Sequence, residues 1–146
     1  MATNITPATT KVTTSIRLVL DGVPYTITDT SYIDNVTVLF NEVFRIPAAS
    51  QIKVFSFGAT GQGQLAGFKI MLIRNRDALN YVRLRMNETG LDAVDLKIDA
   101  GKAITLTSRS FKASGNNAAF DSFANIDEIY MQASAADVDV QILILN

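Results

Sequence analysis

The sequence VDLKIDAGKAITLT, residues 94–107, decides the fold class. Apolar and charged residues alternate from Val94 to Asp99, which is the period of a β-strand with one buried face. Ala100-Gly101 then marks a turn, and the alternation resumes at Ile104-Thr105-Leu106. This stretch therefore predicts two strands joined by a turn.

The same period of two runs through the chain from Ser15 onward, and long stretches at helical period are missing. Asp21-Gly22 is a typical hairpin turn, and residues 23–28 are its expected second strand, near a sheet edge. Roughly nine or ten short strands with frequent turn signals are typical of a sandwich or jelly roll. We therefore predict an all-β, jelly-roll-like β-sandwich over residues 15–146.

The end of the chain is unusually apolar. Residues 126–131 and 138–145 are predicted to form a closing hairpin, and residues 142–145 are apolar at adjacent positions. Such a strand needs cover on both faces, because an exposed apolar edge invites aggregation. The last strand is therefore expected either at the centre of its sheet or against another subunit, which would make the protein a homo-oligomer with cyclic symmetry.

Residues 1–14 differ from the rest of the chain. They are rich in Thr, Ala, Asn and Pro and contain almost no large apolar residue, so they are predicted to form an extended arm outside the core. The arm is a candidate docking element, with Thr3, Ile5 and Pro7 as its contact residues.

The composition excludes several classes of function. The chain has no cysteine and no histidine, which removes thiol chemistry, Cys/His zinc sites, haem ligation and Ser-His catalysis. Thirteen basic and fourteen acidic residues give a charge of −1, so no long-range field attracts nucleic acid or a membrane. Neither a signal peptide nor a membrane span is recognisable, which indicates synthesis in a cytosol-like compartment. We predict a protein that is not an enzyme and needs no cofactor.

Carboxylates are the remaining candidates for chemistry. Asp92, Asp95, Asp99, Asp137 and Asp139 could bind calcium, but their spacing does not match a calcium loop, and solvent-facing strand positions explain them. A glycosidase would need two acids converging in one pocket. The Gly-rich stretch from residue 58 to 67 lacks the context of a phosphate-binding loop and is interpreted as a surface loop.

Arginines concentrate in one segment. Arg74, Arg76, Arg83 and Arg85, with Tyr81 among them, lie on one predicted hairpin. Such a ridge could bind an acidic protein surface, a glycan or a phosphate backbone. The alternative is an ordinary solvated face, since arginine stems also cover apolar strand surface.

The segments FKIMLIRNRDALNYVRLR (residues 68–85), DLKIDAGK (95–102) and IDEIY (126–130) resemble small virion structural proteins of tailed phages. Head decoration or cement proteins of this kind are frequently β-sandwich trimers whose extended arm clasps the capsid. The resemblance implies a homotrimer located in the virion, made in the host cytoplasm, that binds the major capsid protein or another virion protein. A neck, tail or fibre-associated protein is the first alternative. A carbohydrate-binding module that uses Tyr81 with Arg83 and Arg85, or the Gly-rich loop, is the second, and a carboxylate hydrolase is the third.

Overall fold

The computed structural model describes residues 6–58, 65–87, 93–111 and 123–146, and the described residues contain twelve β-strands and no helix. The strands are β1 (Ala8–Leu20), β2 (Val23–Val36), β3 (Leu39–Ile46), β4 (Ile52–Ser56), β5 (Ile70–Asn75), β6 (Val82–Asn87), β7 (Ala93–Ile98), β8 (Ala103–Leu106), β9 (Ser110–Phe111), β10 (Ala124–Asn125), β11 (Glu128–Ala133) and β12 (Val138–Leu145). The all-β prediction is confirmed. None of the described residues belongs to a helix that could cross a membrane.

The chain divides into two compact units, Met1–Thr37 and Val38–Asn146. In the first unit, β1 and β2 pair antiparallel in a long two-stranded hairpin. Asp21 and Gly22 form its turn with φ values of 50° and 78°, the left-handed conformation that this turn type requires. The hairpin predicted at this turn is confirmed.

The N-terminal boundary differs from the predicted one. Ala8 to Thr14 belong to β1 and pair with the far end of β2, so the structure divides the chain after Thr37 and not after residue 14. The reason is that threonine and serine suit a solvated strand, although a polar sequence resembles an unstructured arm.

The second unit contains two four-stranded antiparallel sheets, with strand orders β3-β12-β5-β8 and β4-β11-β6-β7. We name them the β12 sheet and the β11 sheet. Without the two-residue pair β9-β10, the first strand of the unit pairs with the eighth, the second with the seventh, the third with the sixth and the fourth with the fifth. This is a long antiparallel ribbon wound into two sheets, which is a jelly roll. The predicted β-sandwich is confirmed.

The core of the sandwich lies between these sheets. Its centre is formed by alternate residues of β12 and β11, and the fully buried members include Val140, Ile142, Ile144, Ile129 and Met131. Phe40, Phe55, Phe57 and Phe68 form a chain of aromatic contacts with neighbouring ring centroids 4.9–5.4 Å apart.

Two predicted strand pairings are wrong. β11 lies between β4 and β6, whereas β12 lies between β3 and β5, so the last two strands belong to different sheets and form no hairpin. β5 and β6 are likewise in different sheets. Of the two positions predicted for the last strand, the structure shows the central one, and its two sheet neighbours lie in the same chain.

Candidate functional site

The hairpin presents an apolar face near its turn. Three directly opposed residue pairs, Leu20–Val23, Leu18–Tyr25 and Ile16–Ile27, lie on the same side of the two strands. All six side chains are exposed, with accessible fractions from 50% to 67%. We call these six residues the hairpin face.

The opposite face of the same hairpin is different. It carries Arg17 opposite Thr26 and Ser15 opposite Thr28, followed by a pair of threonines, Thr13 and Thr30; its apolar residues are Val19 and Pro24, beside the turn, and Tyr32, farther along opposite Lys11. The hairpin is therefore amphipathic, which is the pattern of a ribbon with one covered side. Since isolated two-stranded hairpins are at best marginally stable in water, this one needs cover to be rigid.

The hairpin face is large for a surface patch. If a large apolar residue has roughly 200 Å² of accessible surface, the exposed fractions leave on the order of 600 Å² on this face. This equals the upper end of the largest apolar patches on typical monomers, about 300–600 Å². Patches of this size are often functional, which makes the hairpin face a candidate interaction site.

A second apolar surface lies on the outer side of the β12 sheet. Leu143 and Leu145 alternate with the buried Ile142 and Ile144, so they point away from the sandwich core. The outward residues beside them on the neighbouring strands include Leu39, Val43 and Leu72. Leu39 and Val43 are 65% and 48% exposed, and the other three are half-buried. We call these five residues the outer face.

The predicted arginine ridge is not one surface. Arg74 and Arg76 lie at the end of β5, in the β12 sheet, whereas Arg83 and Arg85 lie on β6, in the β11 sheet. The prediction of a shared hairpin is wrong because consecutive strands of a jelly roll commonly alternate between its two sheets. The structure therefore contains two separate arginine pairs.

Side chains of the same chain already contact Tyr81 and Arg85, which lie in and beside β6. The Lys97 ammonium lies 4.8 Å from the centre of the Tyr81 ring. Arg85 donates two hydrogen bonds to Asp95, at 2.6 and 2.7 Å, and these bonds hold the pKa of Asp95 below its ordinary value. A cavity of about 420 Å³ is lined by Tyr81, Arg83, Asp95, Leu96 and Lys97. The Lys97 ammonium lies over one face of the Tyr81 ring, so a sugar that stacks on this face would have to displace it.

The other arginine pair faces a more polar cavity. Arg74, Arg76 and Gln141 line a space of about 430 Å³ together with Gly101, whose φ is 68°. Within the part of the chain that the structure describes, neither arginine forms an ion pair. This pair can therefore bind a carboxylate from another molecule.

The remaining predicted residues are easily placed. Pro7 is exposed and precedes β1, whereas Thr3 and Ile5 lie outside the described residues. Among the described residues, no group of three or more acidic side chains could hold a metal ion. Asp137 and Asp139 pair with Arg45, and Asp99 pairs with Lys97. Asp92, like most of the Gly-rich stretch, lies outside the described residues.

Sequence reasoning missed the hairpin face as a functional feature. The alternation of Ile16, Leu18 and Leu20 was correctly interpreted as a strand. The same sequence pattern is produced by a strand that packs on its own core and by a strand whose apolar face binds another protein. A signal was present in the turn, because the two-residue turn Asp21-Gly22 places the apolar residues of β1 and those of β2 on the same side of the hairpin.

Three comparisons, with protein-family models, with curated proteins and with solved structures, find no match.

Proposed function

We propose that this protein is a structural component of a larger particle and acts by protein–protein contact, with the hairpin face as its docking element. The observation that carries the proposal is the set of six exposed apolar side chains on one side of an amphipathic hairpin. Burial of such a face provides affinity without any special chemistry.

The kind of particle follows from the sequence resemblance. Residues 68–85 and 95–102 resemble small virion proteins of tailed phages, and within that group we propose a capsid decoration or cement protein. Jelly rolls are common in viral shells and in lectins, so the fold agrees with this role by analogy only. A neck, tail or fibre-associated protein would use the same mode of contact.

A carbohydrate-binding role is the weaker candidate. It would need Tyr81 as a stacking surface, and Lys97 lies over that ring. Arg85, the second group expected to hold a sugar, is held by Asp95 through two hydrogen bonds. Of the three groups expected to bind a sugar, Tyr81 and Arg85 are thus engaged within the chain, which leaves Arg83.

The proposal is tested by rebinding the purified protein to phage particles from which it has been removed. Three forms are compared: the wild type, Leu18→Asp with Ile27→Asp on the hairpin face, and Arg17→Asp with Thr26→Asp on the opposite face. We expect the wild type and the opposite-face control to co-sediment with particles, and the hairpin-face variant to remain in the supernatant. Circular dichroism melting of the sandwich confirms that each variant is folded. Equal co-sedimentation of all three forms would refute the hairpin face as the docking element.

A further inference from the structure

Among the described residues, the outer face of the β12 sheet is a second exposed apolar surface, smaller than the hairpin face, since only Leu39 and Val43 of its five residues are largely exposed. At roughly 3.3 Å per residue, the apolar part of β1, from Ile16 to Leu20, is about 13 Å long. On β3, the outward residues Leu39 and Val43 are the same number of residues apart, with the polar Asn41 between them, so the two stretches have the same length. Each surface is one side of a twisted antiparallel sheet, and two such sheets pack face to face at about 10 Å.

We propose that the hairpin face of one copy packs on the outer face of the β12 sheet of a second copy of this chain. This proposal rests on the proposed function: the hairpin face holds copies to one another, and it supports binding to the particle because linked copies bind with greater avidity than a single chain. A single kind of contact then covers both apolar surfaces. Because the two surfaces differ, the contact is heterologous, and it builds a ring or a chain of copies.

The area is sufficient for a specific contact. If the hairpin face of on the order of 600 Å² is buried against an equal area of the neighbour, the interface removes about 1,200 Å² from water, the lower limit for stable specific interfaces. The net charge of −1 adds little repulsion between copies.

The polar groups at the ends of the two surfaces are complementary in charge. On the hairpin, the apolar pairs are followed on the same side by Asp29, opposite Thr14. On the sheet, Val43 is followed across β12 by Gln141 and Arg74 on the same side. In one orientation of the contact, the Asp29 carboxylate meets the Arg74 guanidinium, which has no ion-pair partner among the described residues. This pair would fix the direction of packing.

The test is the mass of the protein in solution, measured by size exclusion with light scattering over a range of concentrations. Leu18→Asp removes the hairpin face and Val43→Asp removes the outer face. Thr26→Asp, on the other side of the hairpin, and Ala93→Asp, on the exposed edge strand of the β11 sheet, are the matched controls. Burial of a carboxylate at a central contact is expected to raise the dissociation constant by about thirtyfold or more.

We expect the wild type and both controls to have a mass that is a multiple of the 15.9 kDa chain, and each disrupting variant to be a monomer. An equimolar mixture of Leu18→Asp and Val43→Asp should contain two-chain complexes, because each such complex keeps one intact contact. A monomeric wild type would overturn the inference, and so would a Val43→Asp variant with unchanged mass, which would mean that hairpins pack on each other. A monomeric wild type that still needs the hairpin face to bind particles would refute this inference alone and leave the proposed function standing.

Discussion

Asn75 provides the sharpest test of what holds the sandwich together. Its side chain is fully buried at the end of β5, where the chain leaves the β12 sheet for the β11 sheet. The amide nitrogen donates to the carbonyl oxygen of Asn80 at 2.8 Å, and to those of Ile98 and Asp99 at 3.3 Å. The amide oxygen accepts from the backbone N–H of Asp77 at 3.0 Å. One side chain thus joins the ends of β5 and β7 to the connection between the sheets.

We expect Asn75→Ala to lower the free energy of unfolding by about 3 kcal/mol. The bonds at 2.8 and 3.0 Å have good lengths, and each contributes about 1 kcal/mol, while the two at 3.3 Å are weaker. The remainder, about 1 kcal/mol, comes from backbone groups left buried without their partner and from the small cavity. Urea unfolding followed by far-UV circular dichroism measures the difference. Asn41→Ala is the matched control, because Asn41 is exposed and accepts a single hydrogen bond from Gln141. A loss below about 1 kcal/mol for Asn75→Ala would refute the reasoning.

The Asn75→Asp variant tests the same site by introducing a carboxylate. A carboxylate there would face the three carbonyl oxygens that now accept from the amide, so its ionised form is disfavoured in the folded state. The variant should therefore lose stability as the pH rises from 4 to 7, while the wild type changes little over this range. Urea midpoints at both pH values measure the effect, and identical differences from the wild type at both would contradict it.

Three further predictions concern other connections between strands. Gly101→Ala should destabilise the protein by about 1 kcal/mol in urea unfolding, because a φ of 68° strains any residue with a Cβ. The backbone N–H groups of Asn80 and Leu79 donate to the Asp77 carboxylate and hold its pKa below 3.8. The stability that this turn provides is therefore present above pH 3.8 and is lost as the pH falls through the lower folded pKa. An NMR titration of the Asp77 carboxyl carbon with a midpoint at or above pH 3.8 would contradict this. Arg109→Ala should lower stability by about 2 kcal/mol in the same urea assay, because its guanidinium donates to three groups, two of them backbone carbonyls; Arg17→Ala, on the exposed side of the hairpin, should change it by less than about 0.5 kcal/mol.

Sequence reasoning predicted the strands better than their partners. The period of two shows which side of a strand is buried, so the sandwich, the turn at Asp21-Gly22 and the central β12 were all predictable. Pairing depends on contacts between distant residues, as in the pairing of β3 with β12 across the whole second unit. For this reason a short connection such as residues 76–81 resembled a hairpin loop although it joins two sheets. The arginine ridge was lost with that hairpin.

The candidate site was less predictable than the fold, because exposure is a property of what surrounds a strand. The hairpin itself shows that its apolar face is not needed for strand formation. On its other side, the pairs Arg17–Thr26, Ser15–Thr28 and Thr13–Thr30 belong to the same two strands, and the pairing continues through them without a break. Polar residues would therefore serve equally well on the hairpin face if the hairpin stayed in water. Six exposed apolar residues increase the risk of aggregation and add nothing to the sandwich core, so their presence is best explained by a partner surface that buries them.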